Sequence, residues 1–232
     1  MEREIHLFNI FKESLKDLDL KMVPLEKGMD RIEVEKGSCT IEIYSADRLE
    51  RIIFSLIEIK GTAREGTLFI WPEPKYHLPL FWCNLTQMTT HSFFILDYLP
   101  LLDPVVWPEY FEHCLKGFST MRPKVLDIMK EFILDKDPTL PSAIAILLSS
   151  FKITISLKAE GIGKVLTLIQ EGISSYLEMA KKALPVSEEE RVFLLKKREN
   201  VRKQMKNNDP GYPFMVNTFG EKITKKIFDT IF

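Results

Sequence analysis

The chain has 232 residues, 45% hydrophobic and 28% charged, proportions that exclude a disordered or fibrous protein. Its 32 basic side chains nearly cancel 33 acidic ones, for a net charge of −1, so no global field draws it onto nucleic acid or a membrane surface. Sixteen Phe and three Trp supply enough rings to line a slot for a flat ligand.

Over residues 2–20, Ile5, Phe8, Ile10, Phe11, Leu15 and Leu18 recur at near-helical spacing and predict an amphipathic helix ahead of Pro24. Strand patterns follow. Residues 31–35 alternate, Gly37-Ser38 reads as a turn, and 39–44 alternate again. Residues 51–60 and 66–71 are rich in Ile, Leu and Phe, and 81–86 and 92–98 are two more strands around a polar turn at 87–91. Strands joined by short turns predict an antiparallel sheet rather than a βαβ unit. The second half turns helical: 108–118 and 124–134 are predicted helices, cut by Pro123 and by Asp137-Pro138. Residues 144–157 are open between helix and strand, with Ile153, Ile155 and Leu157 alternating. Residues 165–183 predict a long helix stopped by Pro185. Ser187 followed three residues later by Glu190 is a capping-box pattern, opening a helix to about residue 207. Two prolines and a glycine make 209–213 a rigid loop, and 220–231 a final helix. The fold class is α+β, one domain over 1–232, with helices on both faces of the sheet.

Common chemical motifs are missing. Gly161-Ile162-Gly163-Lys164 is neither a dinucleotide fingerprint nor a P-loop, and GxSxG and HExxH do not occur. The four histidines (His6, His77, His91, His113) are scattered and none is at ligand spacing from a cysteine, so no metal site is expected. Cys39, Cys83 and Cys114 form no disulfide framework and fit a reducing, cytoplasmic setting. No apolar run approaches the ~18 residues of a membrane span, and MEREIHLF lacks the apolar stretch of a signal peptide.

Three segments carry a resemblance. Residues 71–84 read WPEPKYHLPLFWCN, residues 93–100 read FFILDYLP, and Asn208-Asp209 precedes Phe219-Gly220 and a terminal helix. In order and spacing these are similar to ferredoxin-dependent bilin reductases. The resemblance implies a three-layer α/β/α sandwich around an antiparallel sheet. It also implies an enzyme, monomeric, that reduces a linear tetrapyrrole with electrons from reduced ferredoxin, with no bound cofactor. The protein's part is then to bind the pigment, exclude water and place proton donors. Two other readings stand beside it: a reductase of an opened chlorophyll catabolite, and a non-catalytic tetrapyrrole-binding protein.

The resemblance also nominates residues. Asn84 stands where the family has a central acid. An amide cannot give up a proton at neutral pH but can hydrogen-bond pyrrole or lactam groups, and the family's A-ring diene reducers resemble this chain in having Asn there. The alternative is a polar strand-end residue tied to backbone. Asp209 matches the family's C-terminal acid, which desolvation beside an apolar pigment would equip to donate protons; the alternative is an Asx turn before Pro210. The strand before Trp71 carries no histidine to pair with a central acid, and His77 and His91 read as loop residues. Trp71, Phe81, Trp82 and Phe93 are candidates to line the cleft by stacking, with Ser92 a candidate propionate contact; aromatic strand residues are otherwise plain core. Asp97 reads as a cap on a strand-to-loop turn, and Cys83 as a core filler. Lys196, Lys197, Arg198, Arg202 and Lys203 form a basic run to which acidic ferredoxin would be steered, or else a solvated helix face.

Overall fold

A computed structural model describes residues 7–232; the first five positions of the helix expected over 2–20 lie outside them. Helix α1 (Leu7–Ser14) buries Leu7 and Phe11 and stops well before residue 20. Seven strands follow: β1 (Lys21–Met22), β2 (Arg31–Val34), β3 (Gly37–Ala46), β4 (Leu49–Ile59), β5 (Ala63–Pro72), β6 (Leu80–Met88) and β7 (Ser92–Leu99). Then come α2 (Pro108–Tyr110), a π-type turn (Phe111–Leu115), α3 (Lys116–Ser119), α4 (Met121–Met129), β8 (Ile133–Asp135), α5 (Ser142–Ala145) and β9 (Ile153–Leu157). Four helices end the chain: α6 (Ile162–Lys181), α7 (Glu188–Asn208), α8 (Tyr212–Phe219) and α9 (Glu221–Ile231).

The strands make one antiparallel sheet in the order β1-β3-β4-β5-β6-β7-β9-β8, with β2 also pairing β3. On one face α1 and α6 pack over Phe54, Phe81, Leu96 and Tyr98; Phe11 meets Phe54 at 5.7 Å and Tyr176 meets Phe81 at 5.3 Å between ring centroids. The hydroxyls of Tyr98 and Tyr176 donate to the carbonyls of Gly172 and Pro79 at 2.8 and 2.9 Å, so these buried rings leave no polar atom stranded. On the opposite face lie α5, α7, α8 and α9. The result is the expected three-layer α+β sandwich. Among the described residues no helix is long and apolar enough to cross a membrane.

Several boundaries differ from expectation for identifiable reasons. Val34 pairs with Gly37, so the two-residue hairpin turn is Glu35-Lys36 and not Gly37-Ser38. Gly37 is instead needed inside the strand, where a Cβ would sit 2.2 Å from the Glu58 carbonyl oxygen. Pro123 lies in the first turn of α4, where an N–H has no helical acceptor to lose. That helix ends at Met129, and the last two residues of the expected helix, 133 and 134, fall in the short edge strand β8. The open stretch 144–157 divides: its start belongs to α5 and its end is β9, paired with β7. The Ser187–Glu190 capping box is present, with Glu190 N–H donating to Ser187 Oγ at 3.2 Å and Ser187 N–H to Glu190 Oε2 at 2.6 Å. The expected rigid loop is only 209–211 long, because Pro213 sits in the first turn of α8, a position that suits proline's fixed φ.

Candidate active site

Side chains alternate across a strand, and register decides which of them meet. On the face that looks toward α5 and α7–α9, one cross-strand row reads Ser55, Thr67, Asn84, Ile95; the next reads Ile57, Glu65, Thr86, Phe93. Between this face and the helices lies a cavity of about 340 Å³, within the usual range for small-molecule sites. Apolar groups dominate its walls: Ile57, Phe69, Trp82 and Phe93 from the sheet, and Ile144, Met215, Phe228 and Phe232 from the helical side. Phe69 and Trp82 stack at 5.6 Å, 14° from parallel, and Phe232 meets Phe69 edge-on at 5.5 Å. The Trp82 indole N–H is buried with no acceptor among the described residues.

Into this apolar space four polar side chains are set as a strip. Asn84 is buried; its Nδ2 donates to Thr67 Oγ1 at 2.8 Å, and its Oδ1 lies 3.0 Å from Thr86 Oγ1. Glu65 receives the Thr67 hydroxyl at 3.3 Å on one oxygen and the Thr86 hydroxyl at 2.9 Å on the other. Thr67 occupies the place opposite Asn84, on the strand where the family resemblance puts a histidine.

Asp209 reaches the same cavity from the C-terminal end of α7. The backbone turns out of the helix at this residue (φ −63°, ψ 120°), and the carboxyl Oδ1 accepts the Gly211 N–H at 2.7 Å. An Asx turn and a cavity-facing acid therefore coexist in one residue. Desolvation, reinforced by the negative charge of Glu65 and opposed by the Gly211 hydrogen bond, pushes this carboxyl up to about 7. Asn84 and Asp209, 125 positions apart in the chain numbering (209 − 84), line one cavity.

Not every nominated residue joins them. Trp82 and Phe93 line the cavity with Asn84, but Phe81 and Ser92 point to the other face, where Phe81 is packed between Tyr98 and Tyr176 and Ser92 is buried. Trp71 shares the cavity's face but lies beyond its end, fully buried beneath the guanidinium groups of Arg198 and Arg202, 5.5 and 4.9 Å from the ring. Arg198 is itself buried: it donates to the Pro72 carbonyl and, at 2.5 Å, to Glu50. It bolts α7 to the sheet and is not available to a docking protein. Lys196 and Lys203 are exposed, and Lys197 and Arg202 are half-buried. His77 is buried against Glu190 at 2.9 Å, and His91 sits beside Thr90; neither lines the cavity. Asp97 is fully buried and accepts from the Ser149 N–H at 2.9 Å and the Ser149 hydroxyl at 2.5 Å. Glu65 and Thr67 escaped the reading of the sequence. The signal lay in parity: residues 65, 67 and 69 must share a face once that stretch is a strand.

The model of the ferredoxin-dependent bilin reductase family matches residues 8–232. Among solved structures, phytochromobilin synthase from tomato in complex with biliverdin superposes with a TM-score of 0.83 at 16% identity, covering 96% of this chain and 79% of that one. PcyX superposes with a TM-score of 0.59 at 13% identity, covering 97% and 94%. At such identities the structural likeness speaks for the fold. No curated protein sequence matches the chain. The family match, spanning the sheet, the cavity and the C-terminal helices alike, carries the assignment: this chain belongs to the ferredoxin-dependent bilin reductases, oxidoreductases that pass electrons from ferredoxin to a linear tetrapyrrole.

Proposed function

We propose that the chain reduces the A-ring diene of a biliverdin-type pigment, with Asp209 as proton donor and Asn84 as the group that orients the pyrrole or lactam edge. Each reduction takes up two electrons, supplied singly by ferredoxin, and two protons, and converts one carbon–carbon double bond to a single bond. The observation that carries the reading is the convergence of Asn84 and Asp209 on one apolar, aromatic-walled cavity. A carboxyl titrating near 7 holds a transferable proton at neutral pH and can be reprotonated from solvent between steps. Thr67 in place of a histidine argues against a His–acid pair acting on the opposite pigment region. Trp82 and Phe93 offer faces for the pyrrole rings. Biliverdin is the pigment bound by the tomato relative. Exposed Lys196 and Lys203 supply positive charge for an acidic donor protein, with Lys197 and Arg202 contributing their half-buried charges behind them.

The test is spectroscopic. Adding reduced ferredoxin to the biliverdin complex shortens the conjugated system and moves its absorbance to shorter wavelength. Asp209→Asn keeps pigment binding and loses about 100-fold or more in turnover. Normal turnover in that variant, or no spectral change with any linear tetrapyrrole, overturns the reading.

A further inference from the structure

Two carboxyl groups line this cavity, and their surroundings differ. Glu65 has a hydroxyl donor on each oxygen, Thr67 at 3.3 Å and Thr86 at 2.9 Å. Asp209 has a single backbone donor, Gly211, at 2.7 Å. Hydrogen bonds to a carboxylate favour its ionised form, and two like charges facing one low-dielectric space resist ionising together. The donors around Glu65 suit a carboxylate, and Asp209 is the acid that burial and the Glu65 charge push up.

The same hydroxyls reach Asn84. With its proton committed to Glu65, Thr67 Oγ1 is left as an acceptor, and it receives Asn84 Nδ2 at 2.8 Å. Thr86 has one proton to share between Glu65 and Asn84 Oδ1, both within 3.0 Å. The Thr67 contact sets the amide nitrogen on the Thr67 side, which turns the amide oxygen toward Thr86. Among the described residues, one amide hydrogen and at least one lone pair of Asn84 have no partner.

We propose that Glu65 is a positioning residue of this site, an anion fixed by Thr67 and Thr86 that keeps the proton on Asp209 and locks the Asn84 amide in one orientation. The proposal rests on the reading of Asp209 as proton donor. Among the described residues no other charged side chain lines the cavity. Glu65 and Asp209 are the titratable side chains lining the cavity; α5 and α8 contribute apolar groups. On α7 and α9, Lys206 is paired with Asp229, and Lys226 with Glu26. Across β4, Cys39 shares the cross-strand row of Glu65, but burial and that same charge push its thiol up to about 12, so it stays protonated and neutral. The upward shift of Asp209, which Glu65 increases, agrees with this geometry.

The experiment follows one proton by two routes: the falling limb of turnover against pH, and the infrared band of the protonated carboxyl, assigned by its loss in Asp209→Asn. In Glu65→Gln both midpoints move to lower pH, because the repelling charge is gone. In Glu65→Asp, which keeps the charge, they stay nearer the wild-type value. Midpoints unchanged in Glu65→Gln, with the fold intact by thermal melting, overturn the inference. The underlying reading fails differently: Asp209→Asn would then retain turnover whatever Glu65 does. An inactive Asp209→Asn with an unmoved Glu65→Gln midpoint removes Glu65 alone.

Discussion

Asp97 and Asp209 both keep their protons above the ordinary carboxylate range because burial penalises the charge, yet they serve different ends. Asp97 stands opposite Trp82 but does not itself line the cavity; it ties β7 to the segment before β9 through Ser149. Asp97→Ala leaves the Ser149 N–H and hydroxyl without their acceptor in a buried setting, and unfolding in denaturant should show a loss of about 1–3 kcal/mol. The acid also predicts a pH trend. Its folded carboxyl titrates at about 6 against the ordinary 3.8, so between those values the folded state holds a proton that the unfolded state has released. Its contribution to stability is full below about pH 4 and declines as pH rises through 6. Asp97→Asn should flatten that decline in a pH series of urea titrations; an unchanged slope would refute the buried proton. At this scale the sequence was readable in part. Asn84 and Asp209 were identifiable one by one, whereas Phe81 and Ser92 were separable from Asn84 and Phe93 by alternation alone: Phe81 is an odd step from Asn84, and Ser92 adjoins Phe93, so neither pair can share a face. Charge alone could not tell Arg198 from its lysine neighbours, whereas helical spacing puts it on the stripe of Leu194, Val201 and Met205 that meets the sheet.

Elements explain how the acid is held. Asp209 hangs on a three-residue link between α7 and α8, and Gly220 then turns the chain from α8 into α9. At Gly220 the backbone has φ 79° and ψ 156°, a region essentially reserved for glycine. Gly220→Ala should cost about 1–3 kcal/mol in chemical denaturation. Because α9 carries Phe228, Ile231 and Phe232 into the cavity wall, the same variant should bind pigment more weakly in a spectroscopic titration; wild-type values of both would contradict the strain. The long elements were legible because each has many periodic residues to average over. The strands β3–β7, the α6 and α7 helices and α9 appear within a few residues of expectation. What escaped is short or decided by distant partners. β1 and β8 have two and three residues and exist only as pairings with β3 and β9, and α8 was hidden by a proline that reads as a breaker but sits in a helical first turn.

For the whole molecule, near-zero net charge conceals an uneven surface. Lys196 and Lys203 stand exposed on α7, and Lys222 and Lys225 on α9. Reversing the first two, with Lys196→Glu and Lys203→Glu together, should lower kcat/KM for ferredoxin and flatten its dependence on salt while leaving pigment affinity unchanged. Steady-state kinetics at several ionic strengths checks this, and an unaltered salt dependence would place the donor elsewhere.

The sheet itself sends alternate letters of one strand into two different materials. In β6, Phe81, Cys83 and Leu85 enter the solid packing under α6 and α1, while Trp82, Asn84 and Thr86 face the hollow side. Changes confined to every second position can therefore reshape what the enzyme accepts without disturbing what keeps it folded. Such a partition leaves pigment preference open to drift among descendants of this architecture even when their stability is under strict selection.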